Sequence, residues 1–294
     1  MKVAIVGFGM MGRQIAQVFA QKGFQVSATD EYRESLPAGV EEIDKGPYGL
    51  LAAVSKGKLT REEATEALKN IRTTPELAEA CQNAELVIEA VFEDLHLKQE
   101  LFKRIENATS QATILASNTS TLSLAKIAEH VVRKERVVGM HFFNPAQVTK
   151  LVEIIGSDST SPDILAKAVS VARQIGKTPI VSRDEPGFIA NRLGLTLYIE
   201  ASRLLEEGVG SISDIDAAMK LGYGHPMGPF ETADLVGLDT RLRNLESLYA
   251  ATGDIRWMSP KALREMVNQG YTGDPSKKKG SKGGYYQFFS VKPS

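Results

Sequence analysis

One of only four histidines lies in Gly139-Met140-His141-Phe142-Phe143-Asn144, a run that otherwise reads as buried apolar strand. Twelve residues later Glu153 stands inside a second such run, Leu151–Ile155. A neutral imidazole is the usual group to take a hydroxyl proton near neutral pH, and a carboxylate on its other ring nitrogen holds the tautomer and stabilises the imidazolium. A hairpin from Phe143 to Lys150 would bring His141 and Glu153 together and give the glutamate the partner that a buried carboxylate requires. Local spacing alone does not decide between such a dyad and a hydrogen-bonded structural histidine.

A second constellation sits at the other end of the chain. Gly7-Phe8-Gly9-Met10-Met11-Gly12 follows the strand-like Val3–Val6 and opens a helical pattern, the context in which G-x-G-x-x-G cradles a dinucleotide pyrophosphate. The glycines serve the tight turn, the close approach of phosphate, and the packing of helix on strand, while the helix N-terminus offers N–H groups and partial positive charge. Asp30 closes the run Gln25–Thr29, where a carboxylate accepts hydrogen bonds from a ribose. Glu31 beside it would repel a 2′-phosphate and so favours NAD, although Arg33 keeps NADP open. Combined with a histidine base, such a cofactor suits oxidation of an alcohol: one site takes the proton and the nicotinamide takes the hydride.

The scaffold for these groups is legible as pattern. Up to about residue 183, short β-branched runs alternate with helical periodicities, as in a parallel sheet with crossover helices. Strands are expected at Val3–Val6, Gln25–Thr29, Leu86–Ala90, Thr113–Ala116, Val137–Met140, Leu151–Ile155 and Thr178–Val181, and helices at Gln14–Lys22, Leu95–Asn107 and Asp163–Ile175. Tyr48 to Asn70 reads as an inserted helical pair, its second helix opened by a capping box at Thr60 and Glu63. After Asp184-Glu185-Pro186-Gly187 the spacing turns helical, with one conspicuous turn from Gly222 to Pro229. The expected fold is therefore α/β: residues 1–184 form a Rossmann-type doubly wound NAD-binding domain, and residues 185–294 a mostly helical substrate and dimerisation domain.

Composition bounds the partners. The chain has 294 residues, enough for two cores, and its formal charge of -1 gives no electrostatic reason to expect nucleic acid or an acidic membrane. No run is long enough to span a bilayer, and Met1-Lys2 passes directly into a strand without room for a signal peptide, so a soluble cytoplasmic protein is expected. The single cysteine, Cys81, excludes an intramolecular disulfide and suits a reducing compartment, and no cluster of residues suggests a metal.

Several motifs together closely resemble those of the NAD-dependent L-3-hydroxyacyl-CoA dehydrogenases, including the 3-hydroxybutyryl-CoA dehydrogenases. Besides the glycine turn they are Glu89-Ala90-Val91-Phe92-Glu93-Asp94-Leu95 with Lys98, Ala116-Ser117-Asn118-Thr119-Ser120, His141-Phe142-Phe143-Asn144-Pro145 with Lys150-Leu151-Val152-Glu153, Gly187-Phe188-Ile189-Ala190-Asn191-Arg192, and Pro226-Met227-Gly228-Pro229-Phe230 with Gly237-Leu238-Asp239. The resemblance runs to a final strand-like Gly284-Tyr285-Tyr286. It implies that His141 is the base and Glu153 its partner, that Ser120 and Asn191 contact the substrate oxygen, and that Glu93, Lys98, Ser120 and Asn144 lie near the nicotinamide and its ribose. It further implies a CoA-facing arm at Tyr48 to Asn70, with Lys56 and Lys58 as phosphate contacts, and a homodimer formed through the second domain.

The reaction implied is reversible oxidation of a (3S)-3-hydroxyacyl-CoA in fatty acid metabolism. The same chemistry on a branched, aromatic or dicarboxylic acyl-CoA or a free hydroxy acid is the alternative, and a non-catalytic, crystallin-like NAD-binding protein is the reading from another class. Departures from the family pattern fall at Phe8, at Ala146-Gln147-Val148-Thr149, at His225, and in the lysine-rich tail from Ser276 to Gly284. Gln147 either alters acyl preference or faces solvent.

Overall fold

The computed structural model describes residues 1–276 and 278–290, and their contacts gather into two units, Met1–Glu185 and a second beginning at Pro186. In the first, eight strands form one sheet: β1 (Lys2–Val6), β2 (Gln25–Thr29), β3 (Ile71–Thr73), β4 (Leu86–Glu89), β5 (Ile114–Ser117), β6 (Val137–Phe142), β7 (Leu151–Gly156) and β8 (Thr178–Arg183). Their order in space is β3-β2-β1-β4-β5-β6-β7-β8. Every neighbouring pair is parallel except β6 and β7, which run antiparallel.

The strand sequences explain this burial. Val3-Ala4-Ile5-Val6 in β1 and Leu86-Val87-Ile88 in β4 have no polar face, and all are buried, as strands covered by helices on both faces must be. The strand order reverses at β1, which has β2 on one side and β4 on the other; the carboxyl ends of strands at such a switch point form the crevice where doubly wound sheets take ligands. Around the sheet lie α1 (Met10–Ala20), α2 (Ser35–Lys45), α3 (Leu50–Ser55), α4 (Arg61–Lys69), α5 (Leu77–Cys81), α6 (Leu95–Asn107), α7 (Leu124–Ile127) and α8 (Pro162–Gln174). Ile15, Val18 and Phe19 of α1 and Val171 and Ala172 of α8 join the strand residues in one core. Helix starts follow their caps: Asp94 accepts from the N–H of Leu97, Ser161 from that of Ile164 ahead of Pro162, and Thr60 and Glu63 form the expected capping box of α4.

Several elements escape the sequence pattern, among them the short α5 and α7, the strand β3, and α2, which gives the excursion after β2 three helices where two are expected. Helix α2 carries Pro37 and Gly39, both poor residues for a helix interior. Gly39 is required by packing, because a Cβ there would lie 2.5 Å from the buried ring of Phe8. Strand β3 has three residues and follows α4 after Asn70 alone, so no turn signal announces it.

The second unit is helical, with α9 (Ala190–Glu206), α10 (Ile212–Ala217), a π-helical turn at Ala218–Gly222, α11 (Pro229–Val236), α12 (Leu238–Thr252), α13 (Lys261–Asn268) and α14 (Tyr285–Phe288). Tyr198, Phe230, Leu245, Trp257, Met266 and Tyr285 are in its core. The expected final strand is instead the start of α14: the Gln287 side chain accepts from the Gly284 N–H and the Asp234 carboxylate from the Tyr285 N–H, which caps a helix. No helix among the described residues is long and apolar enough to cross a membrane.

Candidate active site

The three motif glycines meet different constraints. Gly7 leaves β1 at φ +94°, and a Cβ on it would lie 2.8 Å from the Ala90 carbonyl group; a Cβ on Gly12 would lie 1.8 Å from the Gly7 carbonyl oxygen. Those two let strand and helix close on each other. A Cβ on Gly9 would meet nothing within 4 Å, and Gly9 caps α1 with neither a side-chain cap nor an acidic residue in the first turn. The leading N–H groups of Met10, Met11 and Gly12 thus stand at a helix start built for an anion, which fits a dinucleotide pyrophosphate. Asp30, just past β2, accepts from the Phe8 N–H at 2.6 Å and the Tyr32 N–H at 2.9 Å. The ring of Phe8 turns into the core, so only backbone at that position is left for a cofactor. Glu31 pairs with Arg104 and Arg33 with Glu76, each at 3.5 Å.

At the far side of the sheet, His141 and Glu153 are directly opposed in the β6–β7 register. His141 belongs to β6 itself, one residue beyond the expected strand end. Its Nδ1 lies 2.8 Å from Glu153 Oε2, and both side chains are buried, Glu153 completely. The following loop is tied down on several sides. Asn118 accepts from the Phe142 N–H at 2.9 Å; Gln14 of α1 donates to Asn144 Oδ1 at 2.9 Å and accepts from the Ala146 N–H at 2.7 Å. Lys177 donates to the carbonyls of Ala146 and Thr149 at 2.5 and 2.7 Å. Gln147 does not simply face solvent: its side chain is half-buried and donates to Gln17 of α1 at 2.9 Å.

Glu93 organises the turn that carries Ser120. One carboxylate oxygen, Oε1, accepts from the Ser120 and Thr121 N–H groups at 2.7 and 3.0 Å and from the Thr119 and Ser120 hydroxyls at 2.7 and 3.1 Å. Burial works to raise the Glu93 carboxyl, but the Lys98 charge and these donors outweigh it and hold it below the usual range. Read without the motif, Glu93 and Lys98 are a solvated pair at a helix start. The structure overturns that, because Lys98 is buried with Nζ 2.6 Å from Glu89 Oε1 and 3.4 Å from Glu93 Oε2. Glu89 is the residue that sequence reasoning passes over, although a charge ending the apolar run Leu86-Val87-Ile88 is the same kind of signal that singles out His141.

Thus His141 meets Glu153, and Ser120, Glu93 and Lys98 meet through the turn at 119–121, while Asn144 joins the glycine-turn helix through Gln14. Asn191 is the second residue of α9 in the helical unit. Lys56 and Lys58 flank left-handed Gly57 in the turn between α3 and α4, and both are exposed. In the tail, Lys278 pairs with Asp239, and Lys277 lies outside the described residues. His225 is an exposed turn residue before Pro226, its N–H donating to the Met219 carbonyl at 3.2 Å. Among the described residues no group of three or more His, Cys, Asp or Glu could hold a metal.

Residues 2–185 match the family model described as 3-hydroxyacyl-CoA dehydrogenase, NAD binding domain, and residues 187–283 the one described as 3-hydroxyacyl-CoA dehydrogenase, C-terminal domain. The chain is 39% identical over 275 residues to a probable 3-hydroxybutyryl-CoA dehydrogenase of Bacillus subtilis, covering 94% of each chain. It is 36% identical to a 3-hydroxybutyryl-CoA dehydrogenase of Clostridioides difficile, over 94% of this chain and 97% of that one. Among solved structures, the (S)-3-hydroxybutyryl-CoA dehydrogenase PaaH1 of Ralstonia eutropha aligns with a TM-score of 0.88 at 37% identity, over 95% of this chain and 98% of that one.

Proposed function

We propose, from the premise that this chain belongs to the 3-hydroxyacyl-CoA dehydrogenase family of NAD-dependent oxidoreductases, that His141 exchanges the C3 hydroxyl proton of a (3S)-3-hydroxyacyl-CoA. The observation that carries this reading is the buried His141–Glu153 contact of 2.8 Å across one hairpin. With Nδ1 turned to Glu153, Nε2 is the nitrogen that takes the proton, and the carboxylate stabilises the imidazolium that forms. In reduction the same imidazolium returns the proton. NAD, when bound, supplies the hydride acceptor.

The other roles follow from chemistry and placement. Ser120 carries a hydroxyl that can both donate and accept, as suits an oxygen that is hydroxyl in one state and carbonyl in the other. Asn191 carries an amide that can donate to or accept from the same substrate oxygen. The glycine turn and Asp30 hold the pyrophosphate and adenosine ribose, Glu93, Lys98 and Asn144 serve the nicotinamide end, and Lys56 and Lys58 receive CoA phosphates. Small acyl groups are the substrates we favour, because relatives named for 3-hydroxybutyryl-CoA match over nearly the whole chain. We place the protein in the cytoplasm, as a homodimer joined through the helical unit, where Leu193, Leu221, Tyr223 and Ile255 are strongly exposed.

The test is NADH formation over 3-hydroxyacyl-CoA thioesters of increasing length, both C3 stereoisomers, the free hydroxy acids, and NADP in parallel. Turnover should be confined to thioesters of one configuration with NAD, and His141→Ala should lower kcat by about 10²–10⁴-fold. Absence of turnover with every thioester, or an unimpaired His141→Ala, would sink the reading.

A further inference from the structure

We propose that Glu89 is a positioning residue for the substrate-oxygen contact: by holding Lys98, it leaves Glu93 to hold the Ser120 hydroxyl. This rests on the reading above, in which Ser120 touches the oxygen that changes between hydroxyl and carbonyl.

Three acceptors surround the buried Lys98 ammonium. They are Glu89 Oε1 at 2.6 Å, Glu93 Oε2 at 3.4 Å and the Val91 carbonyl at 3.4 Å. Glu89 is fully buried and fixed by two further donors, the Val91 N–H and the Ser117 hydroxyl, each at 2.7 Å. Two carboxylates therefore share one ammonium, with the short contact on Glu89. A buried ammonium must keep a counter-charge close. If Glu89 lost its charge, Lys98 would close on Glu93, the other carboxylate it pairs with among the described residues.

Glu93 would then be a weaker acceptor for the donors gathered on its Oε1, among them the Ser120 hydroxyl at 3.1 Å. That hydroxyl has one proton. Donated to Glu93, it leaves the serine oxygen to accept from a substrate hydroxyl; released from Glu93, it is available to a substrate carbonyl. Glu89 thus sets the balance between affinity for the alcohol and affinity for the ketone without touching either.

The experiment measures KM for 3-hydroxyacyl-CoA and for 3-ketoacyl-CoA in the full chain. Glu89→Gln should shift the ratio of the two about tenfold toward tighter ketone binding, with the reduction kcat falling to keep the overall equilibrium constant. Glu89→Asp, which keeps the charge but withdraws it from Lys98 by one methylene, should move the ratio in the same direction. Thr113→Val, which deletes a buried hydroxyl bonded to the Ala84 carbonyl at 2.7 Å just before β5, at the end of that strand away from Ser117, should lower the melting temperature and leave the ratio at the wild-type value. A ratio within twofold of wild type in both Glu89 variants, an equal shift in Thr113→Val, or collapse of both Glu89 variants, which would make the residue structural only, overturns the proposal. Failure of the functional reading shows instead in the wild-type protein, as no turnover of either substrate.

Discussion

At the scale of single residues, what distinguishes the site is where each side chain would or would not tolerate change. Gly9 is the clearest position: its backbone is extended and unstrained, and an added Cβ meets only open space. Gly9→Val should therefore melt within a few degrees of wild type yet weaken NAD binding at least tenfold, measured by titration of cofactor fluorescence. Gly12→Val, whose Cβ would fall 1.8 Å from a carbonyl oxygen, should fail to fold. Equal stability losses in the two variants would show that Gly9 serves packing and not phosphate access. Sequence alone made His141, Glu153 and the glycines visible, because a titratable group in an apolar run and a glycine triplet between strand and helix are local signals. Glu89 carries the first of those signals too, but its meaning lies in Lys98 and Ser117, nine and twenty-eight residues away, and no local spacing announces those contacts.

At the scale of elements, the β6–β7 hairpin is the unit on which the dyad depends. Gly139 sits two residues before His141 and opposite Ile155, and a Cβ on it would come within 2.8 Å of the Ile155 Cβ. Gly139→Ala should force the two strands apart, at a cost of about 1–3 kcal/mol in urea unfolding. Because the strain falls beside the dyad, kcat should drop by more than the fraction unfolded accounts for; a variant destabilised to that degree with wild-type kcat would separate the hairpin from catalysis. Helix α6 begins and ends at the residues its pattern predicts, since Asp94 caps it and its apolar face is regular. Helix α2 and strand β3 were not legible. The first was hidden by Pro37 and by a glycine that only the buried ring of Phe8 explains, the second by its length of three residues. The closing Gly284-Tyr285-Tyr286 misleads for a related reason: its aromatics have strand character, but caps from Gln287 and Asp234 turn it into a helix.

At the scale of the whole molecule, the two units differ in what limits their stability. The helical unit buries a polar centre in which the Tyr198 and Tyr285 hydroxyls meet at 2.6 Å, Arg241 stacks on Tyr198, and Asp234 caps α14. Burial pushes the Asp234 carboxyl up from 3.8 to about 6, against the hydrogen bonds it accepts from the Tyr285 and Tyr286 N–H groups. The folded chain therefore holds this proton at pH values where the unfolded chain has lost it, so stability falls as pH rises from about 4 to about 6 and is level above that. A shift of that size corresponds to about 3 kcal/mol. Asp234→Asn keeps an acceptor for the Tyr285 N–H and should flatten the melting temperature across that window; a variant with the wild-type slope would assign the dependence to another group. Sequence indicated that the second unit is helical, from its periodicity, but not this polar centre, whose members lie up to 87 residues apart. In the first unit, the antiparallel pairing of β6 with β7 has one further consequence. Side chains alternate across a strand, so sliding one strand by a single residue would send Glu153 to the opposite face from His141. The dyad is thus either assembled or absent, with no graded intermediate, and active-site titration of a damaged preparation counts correctly registered sheets.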